Sequence, residues 1–444
     1  MAYDEAVWLG TATIDPAGPV TAGAFGTWTM TFRVGRFGID NSGGIKICTR
    51  MVCDWGNPRL DDPAGEGYTT ARTTGTAKLR ASFDPKGGIR PFRRALVIDV
   101  YDGSLAEDDL IAITWGDRSG GGPGCRAQTY PDERFEFRVL VDAMGTSDYR
   151  ALRDSPRLVV EPGPPDHLTV VAPSLAHFEE ATWATVRVED AWGNPTPRFQ
   201  GVVRVTSNGA VAEHHFRPKD NGTYRFTNLP LAMNQPVTWI LAETDAGLTA
   251  RSNPIVRSDG GHPYYLCWGD TQAQSGGTVG TGRVDRCFEY ARDVACLDFL
   301  AHSGNDFQIT REQWEETRQN VERFHEPGRF HPLLSYEWSG NTPAGGDYNI
   351  VYRDDGPIHR SSHWLIDDKS DEDTDRYPIG ELWKELAGRT DVLAVPHVGG
   401  RRARTADYDE SICRVVELCS VHGWFEWLGM EALAAGRKVG FVGA

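Results

Sequence analysis

No stretch of the 444-residue sequence approaches the run of about 18 apolar residues that a spanning helix needs, so a helical membrane protein is excluded. No basic patch breaks the acidic balance either. The 46 Lys and Arg face 62 Asp and Glu, a formal net charge of −16, and the longest basic cluster is Arg401, Arg402 and Arg404. A polyanionic duplex or an anionic membrane surface is repelled by such a field, so neither nucleic acid nor membrane is an expected partner. The first residues, Met-Ala-Tyr-Asp-Glu, are acidic where a secretory leader is basic and then apolar. Cysteine pairs at zinc-knuckle spacing are missing too. The eight cysteines include no C-x-x-C, and those at 267 and 296 sit within apolar stretches, where a thiol acts as a small hydrophobe. The expectation is a soluble, cytoplasmic chain.

Helical periodicity is what the first 258 residues have least of. Short runs alternate apolar and polar residues between Gly, Pro, Asn and Asp, as at 27–34, 95–101 and 135–141. Period two with frequent turn residues points to antiparallel β-sandwiches. The Pro- and Gly-rich segment 161–166 divides this half into a β-sandwich domain, 1–160, and a second β domain, 164–258. The alternating strand from Ala184 that ends in Asp-Ala-Trp-Gly-Asn-Pro resembles bacterial immunoglobulin-like modules. Neither region gathers catalytic side chains, and a scaffolding role is expected of both.

Near residue 260 the pattern changes to strands alternating with helices. Apolar strands are expected at 264–268, 297–301, 332–336, 349–352, 392–395, 415–418 and 439–442. Thr310-Arg-Glu-Gln313 has capping-box spacing, and Ile379, Leu382, Trp383 and Leu386 mark a second helix that Gly388 can close. Strands separated by helices predict parallel pairing, in a barrel or a doubly wound sheet, and barrel sites form where strands end. Here the strand ends are polar: Asp270, Gln272 and Gln274; His302, Asn305 and Asp306; Glu337; Asp347 before the next strand; His397; Glu417 and His422. Each has an ordinary reading alone: a turn for Asp270, an arginine partner for Glu337, a core or turn position for His302 and His397. Together they predict one pocket with ligands for a divalent ion, whose bound water becomes a nucleophile near neutral pH. Arg401 and Arg402, just past His397, are placed to grip an anionic group, with a solvated loop as their alternative. The acidic segment 354–375, containing His359, Arg360 and His363, reads as a lid or as a solvated loop.

Trp268-Gly-Asp-Thr-Gln-Ala-Gln-Ser275 resembles the opening motif of the PHP (polymerase and histidinol phosphatase) superfamily, where Gly-Asp-Leu-His-x-His-Ser is usual. Residues 297–301, 335–339 and 395–397 are similar to its later motifs, and 301–310 resembles the uncharacterised bacterial family DUF3604. The resemblance implies a distorted (β/α)7 barrel at 262–444 holding one to three Zn, Mn or Fe ions, with Glu337, Asp347 and His397 as the foremost ligands. Asp270, Gln272, Gln274 and Asn305 complete the implied metal set, and His302, Asp306 and His422 are the implied catalytic groups. The implied activity is hydrolysis of a phosphate ester or similar small anionic substrate. Two departures count against it. Gln272 and Gln274 replace two histidines, and the sequence stops at Ala444 where the superfamily has an Asp-x-His pair, so the barrel is expected to be incomplete. A degenerate relative that binds a ligand or partner is the competing expectation. Substrate identity and oligomeric state are not legible.

Overall fold

The computed structural model describes residues 5–177, 181–231, 235–258, 266–366 and 369–443. Their contacts gather Met1–Pro173 with Glu179–Ile255 in one compact unit, and Ser174–Phe178 with Val256–Ala444 in another.

The first unit is built of strands in several small sheets. In a four-stranded sheet Trp28–Val34 lies between Gly10–Asp15 and Leu110–Trp115, with Thr69–Thr73 at the edge. A five-stranded sheet runs through Arg138–Asp142, Gly44–Thr49 and Arg94–Tyr101. The alternation read from the sequence is the alternation of burial: Trp28, Met30, Phe32 and Val34 are buried while Thr29, Thr31 and Arg33 are not. Their core closes around Trp55, which stacks on Phe135 at 4.7 Å and meets Phe137 edge-on. Past 161–166, Thr182–Glu189 pairs with His167–Val171 and Thr223–Leu229. At its end Asp190 accepts the amides of Trp192, Asn194 and Gly163, and the Asn194 side chain donates to the carbonyl of Thr129. This turn therefore ties the two β regions into one unit.

The second unit corrects the expected architecture. It is not a (β/α)7 barrel but a curled, half-barrel sheet of five strands beside a separate three-stranded sheet. The five strands are β1 (Gly269–Ala273), β2 (Phe299–Asn305), β3 (His331–Ser339), β4 (Asp347–Tyr352) and β5 (Val392–His397). The smaller sheet holds β6 (Val415–Ser420), β7 (Gly423–Trp424) and β8 (Gly440–Gly443). The expected strand 264–268 lies partly outside the described residues, and β1 follows it. β1, β2 and β3 are parallel, but β4 is antiparallel to both β3 and β5. The reason is chain length. Only residues 340–346 join β3 to β4, whereas a parallel crossover takes about a dozen residues or more. The helices expected from capping and periodicity do form. Thr310 and Gln313 exchange side-chain bonds at the start of α1 (Arg311–Phe324), and α2 (Ile379–Leu386) buries Ile379, Leu382 and Leu386.

Candidate functional site

The pleat sorts the sheet into two faces. On one, Leu334, Tyr336, Trp338, Tyr348, Ile350 and Ala394 pack against Trp314 of α1 and Leu382 of α2. Residues one step away point oppositely. Register places Asn305 beside Glu337, Glu337 beside Asn349, and Asp347 beside both Ser339 and His397. The second face is polar and nonetheless buried: Asn305, Glu337, Asp347, Asn349 and His397 are each exposed by 3% or less.

Glu337 is the hub. Its Oε2 accepts from the amides of Gln274 (2.9 Å) and Gln272 (3.2 Å), and its Oε1 accepts from Ser339 Oγ at 3.1 Å. Arg401 reaches between two carboxylates, with Nε 2.6 Å from Asp347 Oδ1 and a terminal nitrogen 3.7 Å from Glu337 Oε1. His397 pairs through Nδ1 with Glu417 of β6, and its ring lies 5.9 Å from that of His422 at the exposed rim. Burial and the Glu337 charge raise the Asp347 carboxyl to about 7 against the pull of Arg401. Burial alone would discharge His397, but the Glu417 hydrogen bond and the surrounding carboxylates outweigh it and raise its pKa. His422 is lowered by partial burial and by His397. Asp270, raised by burial and then by Glu417, accepts the amide of Gln272 and so shapes the turn that presents both glutamines.

The structure thus brings together Gln272, Gln274, Asn305, Glu337, Asp347, His397, Arg401, Glu417 and His422. Asp306 is held elsewhere, accepting the main-chain amides of Ser339 and Ser361, with burial raising it to about 6. His302 points to the apolar face, 6.1 Å from Phe288, with both ring nitrogens unpartnered and burial lowering it to about 4. Arg402 turns away to Glu431 and lies over Trp427 at 4.2 Å. The 354–375 segment, apart from 367–368, which lie outside the described residues, is anchored by a fully buried Arg360–Asp371 ion pair at 3.0 Å. Sequence reasoning missed Asn349. Its neighbour at i−2 is Asp347, and the period of two was the signal that could have found it.

Whether these residues suit the metal that the resemblance implies is a question of charge and unmet hydrogen bonds. Glu337, Asp347 and Glu417, with Asp270 nearby, face one permanent cation, Arg401, and the His397 imidazole. Glu417 Oε1 and both polar atoms of the Asn349 amide are buried without a hydrogen-bond partner. Buried polar atoms left unpaired are costly, and an excess of buried carboxylate favours a cation. Oxygen and imidazole donors of this kind suit Zn, Mn or Fe. Among the described residues, however, no three His, Cys, Asp or Glu are arranged to hold a metal ion, and Gln272, Gln274 and Arg401 already pair with the carboxylates. The donors fit in kind, and the internal partners must yield.

Residues 271–402 match the family described as "Protein of unknown function (DUF3604)", a match that falls on β1 to β5 and stops just past Arg401. An uncharacterised protein of Chlamydia pneumoniae is 23% identical over 316 residues, which cover 68% of this chain and 48% of that protein. The chain thus spans about half the length of that curated relative. Among solved structures, an ICAM-5 D1–D4 ectodomain fragment aligns over 61% of this chain and 56% of its own, at 12% identity and a TM-score of 0.20. SGBP-B of the Bacteroides ovatus mixed-linkage glucan utilization locus, in complex with a mixed-linkage heptasaccharide, aligns over 53% and 54%, at 8% identity and a TM-score of 0.15. Superpositions that loose establish no shared fold. No helix among the described residues is long and apolar enough to cross a membrane.

Proposed function

We propose that the second unit is a PHP-like metal-dependent hydrolase acting on a phosphate ester or similar small anionic substrate, with Glu337, Asp347, His397 and Glu417 as the residues that hold the ion. The observation that carries this reading is the buried polar face itself, where carboxylates outnumber cations and Glu417 Oε1 and the Asn349 amide lack partners. A divalent ion held by these residues would supply a water of lowered pKa as the nucleophile. The chain's own groups do the rest. Gln272 and Gln274 orient Glu337, Glu417 holds the proton of His397 on Nδ1, and His422 at the open rim is placed to pass a proton to or from solvent. Arg401 offers a guanidinium to the anionic part of the substrate.

A second reading has its own support. With the Gln272 and Gln274 amides given to Glu337 and Arg401 given to Asp347, the face is also that of a ligand-binding module whose permanent cation is an arginine. Metal analysis of protein expressed with Zn, Mn or Fe supplements separates the two. The hydrolase reading expects bound metal in the wild type and a loss of affinity of roughly tenfold or more in Glu337→Gln, because the amide cannot supply the charge. Less than about a tenth of an equivalent in the wild type with and without inorganic phosphate, and in Arg401→Gln, rules the hydrolase out, since intact sites of this chemistry hold metal tightly.

A further inference from the structure

Resting on the metal-binding reading, we infer that Arg401 is an exchange residue: it neutralises Asp347 and Glu337 until a divalent ion replaces it, and its released guanidinium then binds an oxyanion, so ion and anionic substrate bind cooperatively.

The geometry separates a fixed main chain from a movable side chain. The Arg401 amide donates to Asp347 Oδ2 at 3.0 Å, and the Asp347 amide donates to the Arg401 carbonyl at 3.2 Å. These bonds hold the turn against β4 whatever the guanidinium does. A side chain at Gly399 would come within 2.7 Å of His397 Nε2 and 3.0 Å of Asp347 Oδ2, so the turn can hug the carboxylate only with glycine there. The guanidinium is held more lightly. One bond to Asp347 Oδ1 at 2.6 Å and a long approach to Glu337 fix it, and the side chain keeps 23% of its surface exposed beside the Phe307 ring, 5.6 Å away. Arg401 therefore reaches solvent from the one place where it also touches both carboxylates.

A divalent ion and a guanidinium compete for the two carboxylates at this range, because each repels the other within a few ångströms. Ion entry frees Nε and both terminal nitrogens of Arg401 for another acceptor. A planar guanidinium binds the paired oxygens of a phosphate or carboxylate bidentately. An oxyanion that holds the released form favours the ion, and by linkage the ion favours the oxyanion by the same factor. Arg402 cannot take this part, because Glu431 holds it at 2.6 and 2.7 Å on the other side of the turn.

The test is Mn2+ binding, read from the free-ion electron paramagnetic resonance signal, with and without inorganic phosphate. Phosphate should tighten Mn2+ binding to the wild type by roughly 5–150-fold, the usual span for two coupled sites. Arg401→Gln should bind Mn2+ more tightly than the wild type without phosphate and gain nothing when phosphate is added. Arg402→Gln should behave as the wild type. If Arg401→Gln does not fold, Arg401→Lys carries the test: one ammonium holds two carboxylates less well, so Mn2+ binds more tightly than to the wild type and the phosphate effect shrinks. Mn2+ uptake by a wild type that takes up none without phosphate, or by Arg401→Gln alone, supports the exchange. Equal or weaker Mn2+ binding by both Arg401 variants, or an undiminished phosphate effect in them, overturns it and leaves the metal reading standing. No uptake by any of the four proteins overturns both.

Discussion

The difference between His302 and His397 is one of parity along two strands. Both end apolar runs, but His397 meets carboxylates and His302 meets Phe288 and the apolar face. Burial lowers the His302 pKa from 6.5 to about 4 while an unfolded chain keeps the ordinary value. The unfolded state then binds the extra proton first as pH falls. His302 costs stability progressively from about pH 6.5 down to about 4, and costs nothing of this kind above pH 7. His302→Leu should therefore raise stability at pH 5 by about 1–3 kcal/mol, and by less at pH 7.5, where only the two unpartnered ring nitrogens are relieved. Urea unfolding at both pH values reads this, and an equal effect at the two would show that protonation of His302 plays no part. Glu337 and His397 were legible as polar strand ends, but the face each strand end serves was not, because one residue of register reverses it.

At the scale of elements, short connections decided what periodicity could not. Residues 340–346 turn the chain back so tightly that β4 must run against β3, and Gly346 carries a φ of +88° there. A Cβ at Gly346 would lie 2.1 Å from the Arg402 carbonyl, main chain that cannot step aside. Gly346→Ala should cost at least about 1–3 kcal/mol and disturb the adjoining Arg401 turn. Gly380 in α2 has open space around it, and Gly380→Ala should gain about 0.5–1 kcal/mol. Thermal unfolding of the two variants tests the pair, and a neutral Gly346→Ala would mean the β3–β4 connection can relax. The capping box at Thr310 was readable because it is local, as was the apolar stripe of α2. The antiparallel β4 was not, because the expected strands leave twelve residues between them, and the link shrinks to 340–346 only once β3 runs on to Ser339 and β4 starts at Asp347.

For the whole molecule, the net charge of −16 is a destabilising field that salt screens. Salt also weakens the exposed ion pairs, but such pairs, as in Arg33–Asp108 and Arg353–Asp354, are each worth about 0–1 kcal/mol. Self-repulsion should dominate. Melting temperature should rise between low salt and 0.5 M NaCl by roughly 2–4 °C for each kcal/mol of repulsion relieved. A fall in differential scanning calorimetry would show instead that the ion pairs carry more of the stability than their exposure suggests.

By itself the sequence determined what depends on neighbours along the chain. Strands alternate in the first unit because each pleat buries every second side chain. Helix α1 begins in the second unit where the Thr310 side chain satisfies a terminal amide. The acidic residues stand at strand ends whatever the sheet does with them. Only the tertiary structure decided that the sheet curls into a half-barrel without closing as a (β/α)7 barrel, that Arg402 turns out to Glu431 while Arg401 turns in to Asp347, and that Asn349 joins the buried polar face. Those outcomes rest on strand register and on contacts between residues far apart in the chain, such as Gln272 with Glu337 and Asp347 with Arg401. No local pattern encodes them, because burying a charge is tolerable only when a distant partner arrives to meet it.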